Sequence, residues 1–143
     1  MSPTTPHDRL VHLYQDVTRL TEISSPSFIL HRAFPRNAPP LHGIAAAQAH
    51  EEAFVRATNG TLVMKVDKIT ISTDGVFGCV FGVIEAGYGG REEQGETTTG
   101  KEGIRMPFCG LWKFDEDGMA VEHWENAAEP EKFGRWLVEF GRE

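Results

Sequence analysis

The second half of the chain is punctuated in a way that leaves few folds open. Runs rich in β-branched and aromatic residues cover positions 61–72, 76–88, 104–114 and 119–126. The breaks between them fall at Asp74-Gly75, in a Gly-rich stretch from Gly87 to Gly103, and at Asp117-Gly118, all of them turn sequences. Four strands in succession predict an antiparallel meander. Ahead of it, Leu10, Leu13, Tyr14, Val17 and Leu20 recur on one helical face between Asp8 and Glu22, which predicts a first helix. A short apolar strand is expected over 28–34, and Pro35, Pro39 and Pro40 exclude helix after it. Helix formers dominate 44–58, with Ala47, His50, Phe54 and Ala57 on one face and Asn59-Gly60 as the stop. Pro130 opens a final short helix whose stripe is Phe133, Trp136, Leu137 and Phe140.

Helices segregated from a meander predict the α+β class, with helices across one face of the sheet. Gly78, Gly82, Gly87 and Gly110 fall in or at the ends of strands. They read as bends that curl the sheet strongly around a pocket. With 143 residues, 40 % of them hydrophobic, one domain over 1–143 is expected, its first seven residues a flexible lead-in.

Charge narrows the partners. Lys and Arg number 14 against 21 Asp and Glu, a net charge of −7, and no basic run interleaved with aromatics occurs. Nucleic acid is therefore not an expected partner. The opening MSPTTPHDRL is polar where a secretory signal is apolar, and no segment has the length of a membrane span. These features predict a soluble cytoplasmic protein with no membrane partner. Cys79 and Cys109 each sit in an apolar run and read as buried thiols rather than a disulfide. No paired Cys/His spacing for zinc and no phosphate-binding Gly loop occurs, so no metal and no cofactor is expected.

Several motifs carry a resemblance. Residues 106–126, MPFCGLWKFDEDGMAVEHWEN, combine an aromatic-rich strand, an Asp-Gly turn and a Glu-His-Trp ending. Pro39-Pro40-Leu41-His42-Gly43 leads into the second long helix, and Thr99-Gly100-Lys101 precedes the third strand of the meander. In these stretches and in element order, the chain resembles the nuclear-transport-factor-2-like superfamily, in particular its SnoaL-like and limonene-epoxide-hydrolase-like members. The resemblance implies a cone-shaped α+β barrel, a curved antiparallel sheet wrapped around the N-terminal helices, and a homodimer built on the outer face of the sheet. That face needs a cover, because the strand 76–84 is apolar at nearly every position.

The epoxide hydrolases of this group use a carboxylate–arginine–carboxylate set with a Tyr and an Asn. Carried onto this sequence, the carboxylate after the last-strand Trp becomes Asn126, the Arg-x-Asp pair falls near Val83 and Glu85, and the Tyr and Asn fall near Ala33 and Pro35. The arginine is missing. The pattern is nearer to the SnoaL-like cyclases, which close or rearrange natural-product intermediates by acid/base chemistry without a cofactor.

The candidate catalytic residues are Glu85, His31, Asn126 and Glu122. Glu85 ends an apolar strand, where desolvation would raise its pKa toward neutrality, and His31 is the expected proton-transfer partner. With Trp124 facing the cavity, as the resemblance implies, Glu122 and Asn126 face it too. In the opposite register His123 and Glu125 face it instead. Met106, Phe108, Trp112 and Trp124 are the expected substrate-binding wall, with His50 from the second helix, although for any one residue of this wall plain core packing is the stronger reading. Arg32 and Arg36 are possible oxyanion binders or surface charges. The 87–103 stretch reads as a lid or an excursion. The function expected is a cofactor-independent cyclase or isomerase acting on a hydrophobic polyketide- or terpenoid-like substrate. Epoxide hydrolysis, dehydration or plain small-molecule binding in the same cavity are the alternatives.

Overall fold

The computed structural model describes residues 5–88 and 103–140. Helix α1 (Pro6–Gln15) begins where Thr5 Oγ1 accepts the N–H of Asp8, with Pro in its first turn. The expected single helix to residue 22 is interrupted at Asp16. Its backbone is extended, and its carboxylate takes the N–H of Thr18 to cap a new 3₁₀ turn over Val17–Arg19. Helix α2 (Leu20–Ile23) follows and runs directly into β1 (Ser24–His31). The two-residue strand β2 (Leu41–His42) and helix α3 (Ile44–Ala57) complete the first half. The meander is β3 (Val63–Ile71), β4 (Phe77–Ala86), β5 (Ile104–Phe114) and β6 (Ala120–Trp124), and α4 (Pro130–Phe140) closes the described chain.

The six strands form one sheet in the order β2-β1-β6-β5-β4-β3. The expected cone-shaped barrel with a strongly curved antiparallel sheet is corrected on two points. The sheet is open and not strongly curved, since β2 and β3 stand at opposite edges without pairing, and it is mixed, since β1 runs parallel to β6. The glycines explain much of the misreading. A side chain at Gly82 would collide with the Lys65 carbonyl and the Phe108 ring, and one at Gly110 would lie 2.6 Å from the Tyr14 hydroxyl. These positions admit close neighbours instead of curling the sheet. The lid expected within 87–103 falls almost wholly outside the described residues.

Alternation along β5 sets the layers. Ile104, Met106, Phe108, Trp112 and Phe114 are buried on the helix-covered face, with Leu10, Leu13 and Tyr14 of α1 and Phe133 of α4 packed among them. On the opposite face Phe77, Phe81 and Leu111 are 44–52 % exposed. Cys79 and Cys109 lie there as free thiols, their Sγ atoms 3.4 Å apart.

Candidate functional site

Register across the β5–β6 hairpin decides which residues meet. Trp112 stands directly opposite His123, and directly opposed residues of antiparallel strands share a face. With Trp112 buried, His123 points inward, and Glu122 and Trp124 point out. An inward Trp112 and an inward Trp124 are incompatible, so the cavity holds the alternative pair, His123 and Glu125.

That cavity has a volume of about 150 Å³ and lies between the sheet, α1, α3 and α4. Its walls are mostly apolar, among them Leu13, Phe54, Ile84, Phe108 and Phe133. Phe34, on the loop after β1, also lines it and packs on Gly134 of α4, where a side chain would meet the Phe34 ring at 2.5 Å.

A polar group interrupts this wall. Helix α3 contributes His50 and Glu51, the latter only 7 % exposed. Glu125 follows β6, its backbone N–H bound to the His31 carbonyl at 2.9 Å. Its Oε1 accepts the Ala33 N–H at 3.3 Å, and its Oε2 lies 3.7 Å from His50 Nε2. A carboxylate oxygen of Glu51 lies within 4.8 Å of one of Glu125. Burial first, and then the charge of Glu125, push the Glu51 carboxyl well above the usual range. Burial acts in the same sense on Glu125, but His50, His123 and the proton of Glu51 outweigh it and hold Glu125 low. The two shifts are opposed, so a proton is favoured on Glu51 before Glu125. Donor atoms of His50, Glu51 and Glu125 also lie within 4.8 Å of one another, a set of oxygen and imidazole ligands that could hold a divalent cation in place of that proton.

His123 completes the inner face. Its Nδ1 lies 2.8 Å from the Leu111 carbonyl, an acceptor only, so Nδ1 carries the hydrogen and Nε2 keeps its lone pair. Burial lowers its pKa to about 4. The ring stacks on Trp112 with centroids 3.7 Å apart, and Trp112 Nε1–H donates to the Tyr14 hydroxyl at 3.2 Å. Burial raises the Tyr14 pKa, so its hydroxyl keeps its proton.

Of the residues singled out in the sequence, His50, Asn126, Phe108 and Trp112 line the cavity. Met106 is buried in the core without lining it. Glu85 lies outside the cavity, between Lys65 at 3.1 Å and Arg105. Burial alone would raise its pKa, but hydrogen bonds from these two cations reverse the sign and lower it, the opposite of the expected shift. His31, Glu122 and Trp124 do come together, with His31 Nε2 2.6 Å from Glu122 Oε2 and the His31 ring stacked on Trp124 at 5.1 Å. Neither His31 nor these two partners line the cavity. Arg32 donates to the Pro39 carbonyl and Arg36 pairs with Glu131 at 3.5 Å. Glu51 was missed, yet it sits four residues after Ala47 and three before Phe54, on the stripe already assigned to the core.

No family model matches the sequence, and no curated protein matches it. Solved structures do. Bal32a from a soil-derived mobile gene cassette is similar with a TM-score of 0.73 at 17 % identity, over 96 % of this chain and 99 % of that one. A putative SnoaL-like polyketide cyclase from Jannaschia sp. CCS1 gives 0.67 at 15 % identity, over 93 % of both chains. IdmH, a putative polyketide cyclase from Streptomyces antibioticus, gives 0.64 at 18 %, over 92 % and 97 %. The chain shares the fold of these proteins. No helix among the described residues is long and apolar enough to cross a membrane.

Proposed function

We propose that the chain is an acid/base enzyme, an isomerase or cyclase, that moves a proton on a hydrophobic carbonyl compound without a cofactor. The observation that carries this reading is the Glu51–Glu125 carboxylate pair, oxygens within 4.8 Å of each other and of His50, in the wall of an otherwise apolar cavity, with Glu51 shifted up and Glu125 down. Glu125 is the base. Its carboxylate takes a proton from carbon next to the substrate carbonyl, and the C–H electron pair moves into an enolate. Tyr14, whose oxygen is already turned to Trp112 Nε1–H, donates its O–H as a hydrogen bond to the enolate oxygen. Protonated Glu125 then returns the proton to another carbon, or the enolate carbon closes a ring onto a second carbonyl and the proton goes to the new alkoxide. Glu51 and His50 are positioning residues that hold Glu125 ionised and oriented. The putative polyketide cyclases among the structurally similar proteins support the class of reaction.

The test follows α-proton exchange of small cyclic ketones in D2O by NMR. Glu125→Gln keeps shape and removes the base, and the expected loss is about 10²–10⁴-fold, the range of general-base catalysis. Exchange at the wild-type rate in that variant would remove Glu125 from the chemistry.

The reading includes a soluble homodimer joined through the outer sheet face. Support comes from Phe77, Phe81 and Leu111, large apolar side chains exposed together on β4 and β5.

A further inference from the structure

The cavity is small for the ligands that enclosed sites usually take, which fill roughly 300–1,000 Å³. At about 150 Å³ it holds about one benzene-sized ring. A second space lies beside it. An open groove of about 850 Å³ runs between α1 and the edge strand β3, lined by Val11, Val55, Leu62, Val63, Val66 and Ile69 among others. Val11, Val63 and Val66 expose 36–42 % of their surface into solvent.

Cavity and groove share three wall residues, Tyr14, Val17 and Met64. Two of the three are fixed. Tyr14 is bonded to Trp112 and stacks on Phe108 with centroids 5.7 Å apart, and Val17 is β-branched in a turn capped by Asp16. Met64 is different. It is partly buried, unbranched and on an edge strand, so rotation about its side-chain bonds opens the partition without moving backbone.

The polar groups at the groove rim are engaged with one another. Asp16 binds Thr18, and Arg19 binds Gln15 Oε1 and the His12 carbonyl. The groove thus suits hydrocarbon and offers no dedicated partner for a charged head, whereas the cavity offers Glu125, Glu51 and Tyr14.

We propose that the ligand is elongated, with a one-ring or smaller polar head beside Glu125 and a hydrocarbon tail that passes Met64 into the α1–β3 groove. The head placement rests on the acid/base reading above. The tail rests on the two joined spaces.

Binding of a 4-alkylphenol series, from phenol to 4-nonylphenol, measured by calorimetry, tests it. In the wild type, affinity should keep rising beyond the ethyl member, by up to about fourfold per added methylene. Met64→Trp fills the partition, and within that variant the longer tails should bind no better than phenol. Val66→Glu, at an exposed groove position away from the cavity, should cut the same gain without touching phenol. An affinity that stops rising at 4-ethylphenol, or a tail gain that survives both variants, overturns the proposal. So does competition of the tail with self-association, which would assign the groove to a second copy of the chain. Glu125→Gln separates the two readings, since it should weaken every phenol alike and leave the gain per methylene intact. Wild-type ketone exchange in that variant would sink the catalytic reading, and the tail result would stand.

Discussion

Glu51 and Glu125 stand together in the cavity wall, a carboxylate oxygen of each within 4.8 Å of the other, and burial with the nearby Glu125 charge pushes the Glu51 carboxyl well above its ordinary range. Stability should record this. A carboxyl whose folded pKa is raised contributes stability below its unfolded pKa and loses it as pH climbs through the folded value. Glu51 therefore makes the fold less stable from about pH 4.5 upward, and Glu125, held low, does so only in acid. Glu51→Gln keeps a donor toward Glu125 and removes the titration. Thermal unfolding from pH 4 to 9 should show the variant matching the wild type at the acid end and melting several degrees higher at the alkaline end. Parallel curves would contradict the raised Glu51 carboxyl.

His123 gives a second pH signature. Its pKa, depressed to about 4 by burial, makes its contribution present above pH 6.5 and lost as pH falls through the folded value. Ring nitrogen NMR should show the hydrogen on Nδ1 at pH 6, with titration near pH 4. Titration near 6.5 would mean the ring is solvated.

Glu85 should prove structural. Its carboxylate, 5 % exposed, joins Lys65 and Arg105, whose side chains remain more than half exposed. Glu85→Gln leaves those cations in water, so the expected cost is about 1 kcal/mol, read from urea unfolding, with ketone exchange within twofold of wild type. A loss of exchange comparable to Glu125→Gln would restore it to the chemistry.

The outer face predicts association. Phe81 is 51 % exposed at the centre of β4, and Phe81→Lys should convert a sedimenting dimer into a monomer while preserving the far-UV spectrum. A wild-type chain that sediments as a monomer at every concentration removes the dimer.

The element plan was legible because each strand of the meander alternates or runs apolar between Gly turns, and because α3 and α4 carry single stripes. Openness of the sheet was not. Nothing in the Ser24–His31 segment says that it will pair parallel to β6, and Gly82 and Gly110 look alike whether they bend a strand or admit a ring. Which side chains of β6 face the cavity turned on one parity decision. His123 and Glu125 were visible as the alternative, but the choice depended on which residue of β6 stands opposite Trp112, a property of the turn and the register shift at Lys113/Phe114 rather than of any residue's chemistry. Glu51 was hidden differently, as a carboxylate on a stripe that looks like packing until its partner is placed beside it.

Strand β6 is a wall one residue thick with a different chemistry on each side. Glu122 and Trp124 meet His31 outside, while His123 and, just beyond the strand, Glu125 serve the cavity. A one-residue slip in a strand turns every side chain over. Inserting one residue in the Asp115–Gly118 turn would thus trade an imidazole and a half-buried carboxylate for a glutamate and an indole, with no substitution at any of those positions. The length of that turn is as much a determinant of what the cavity can do as the residues that line it.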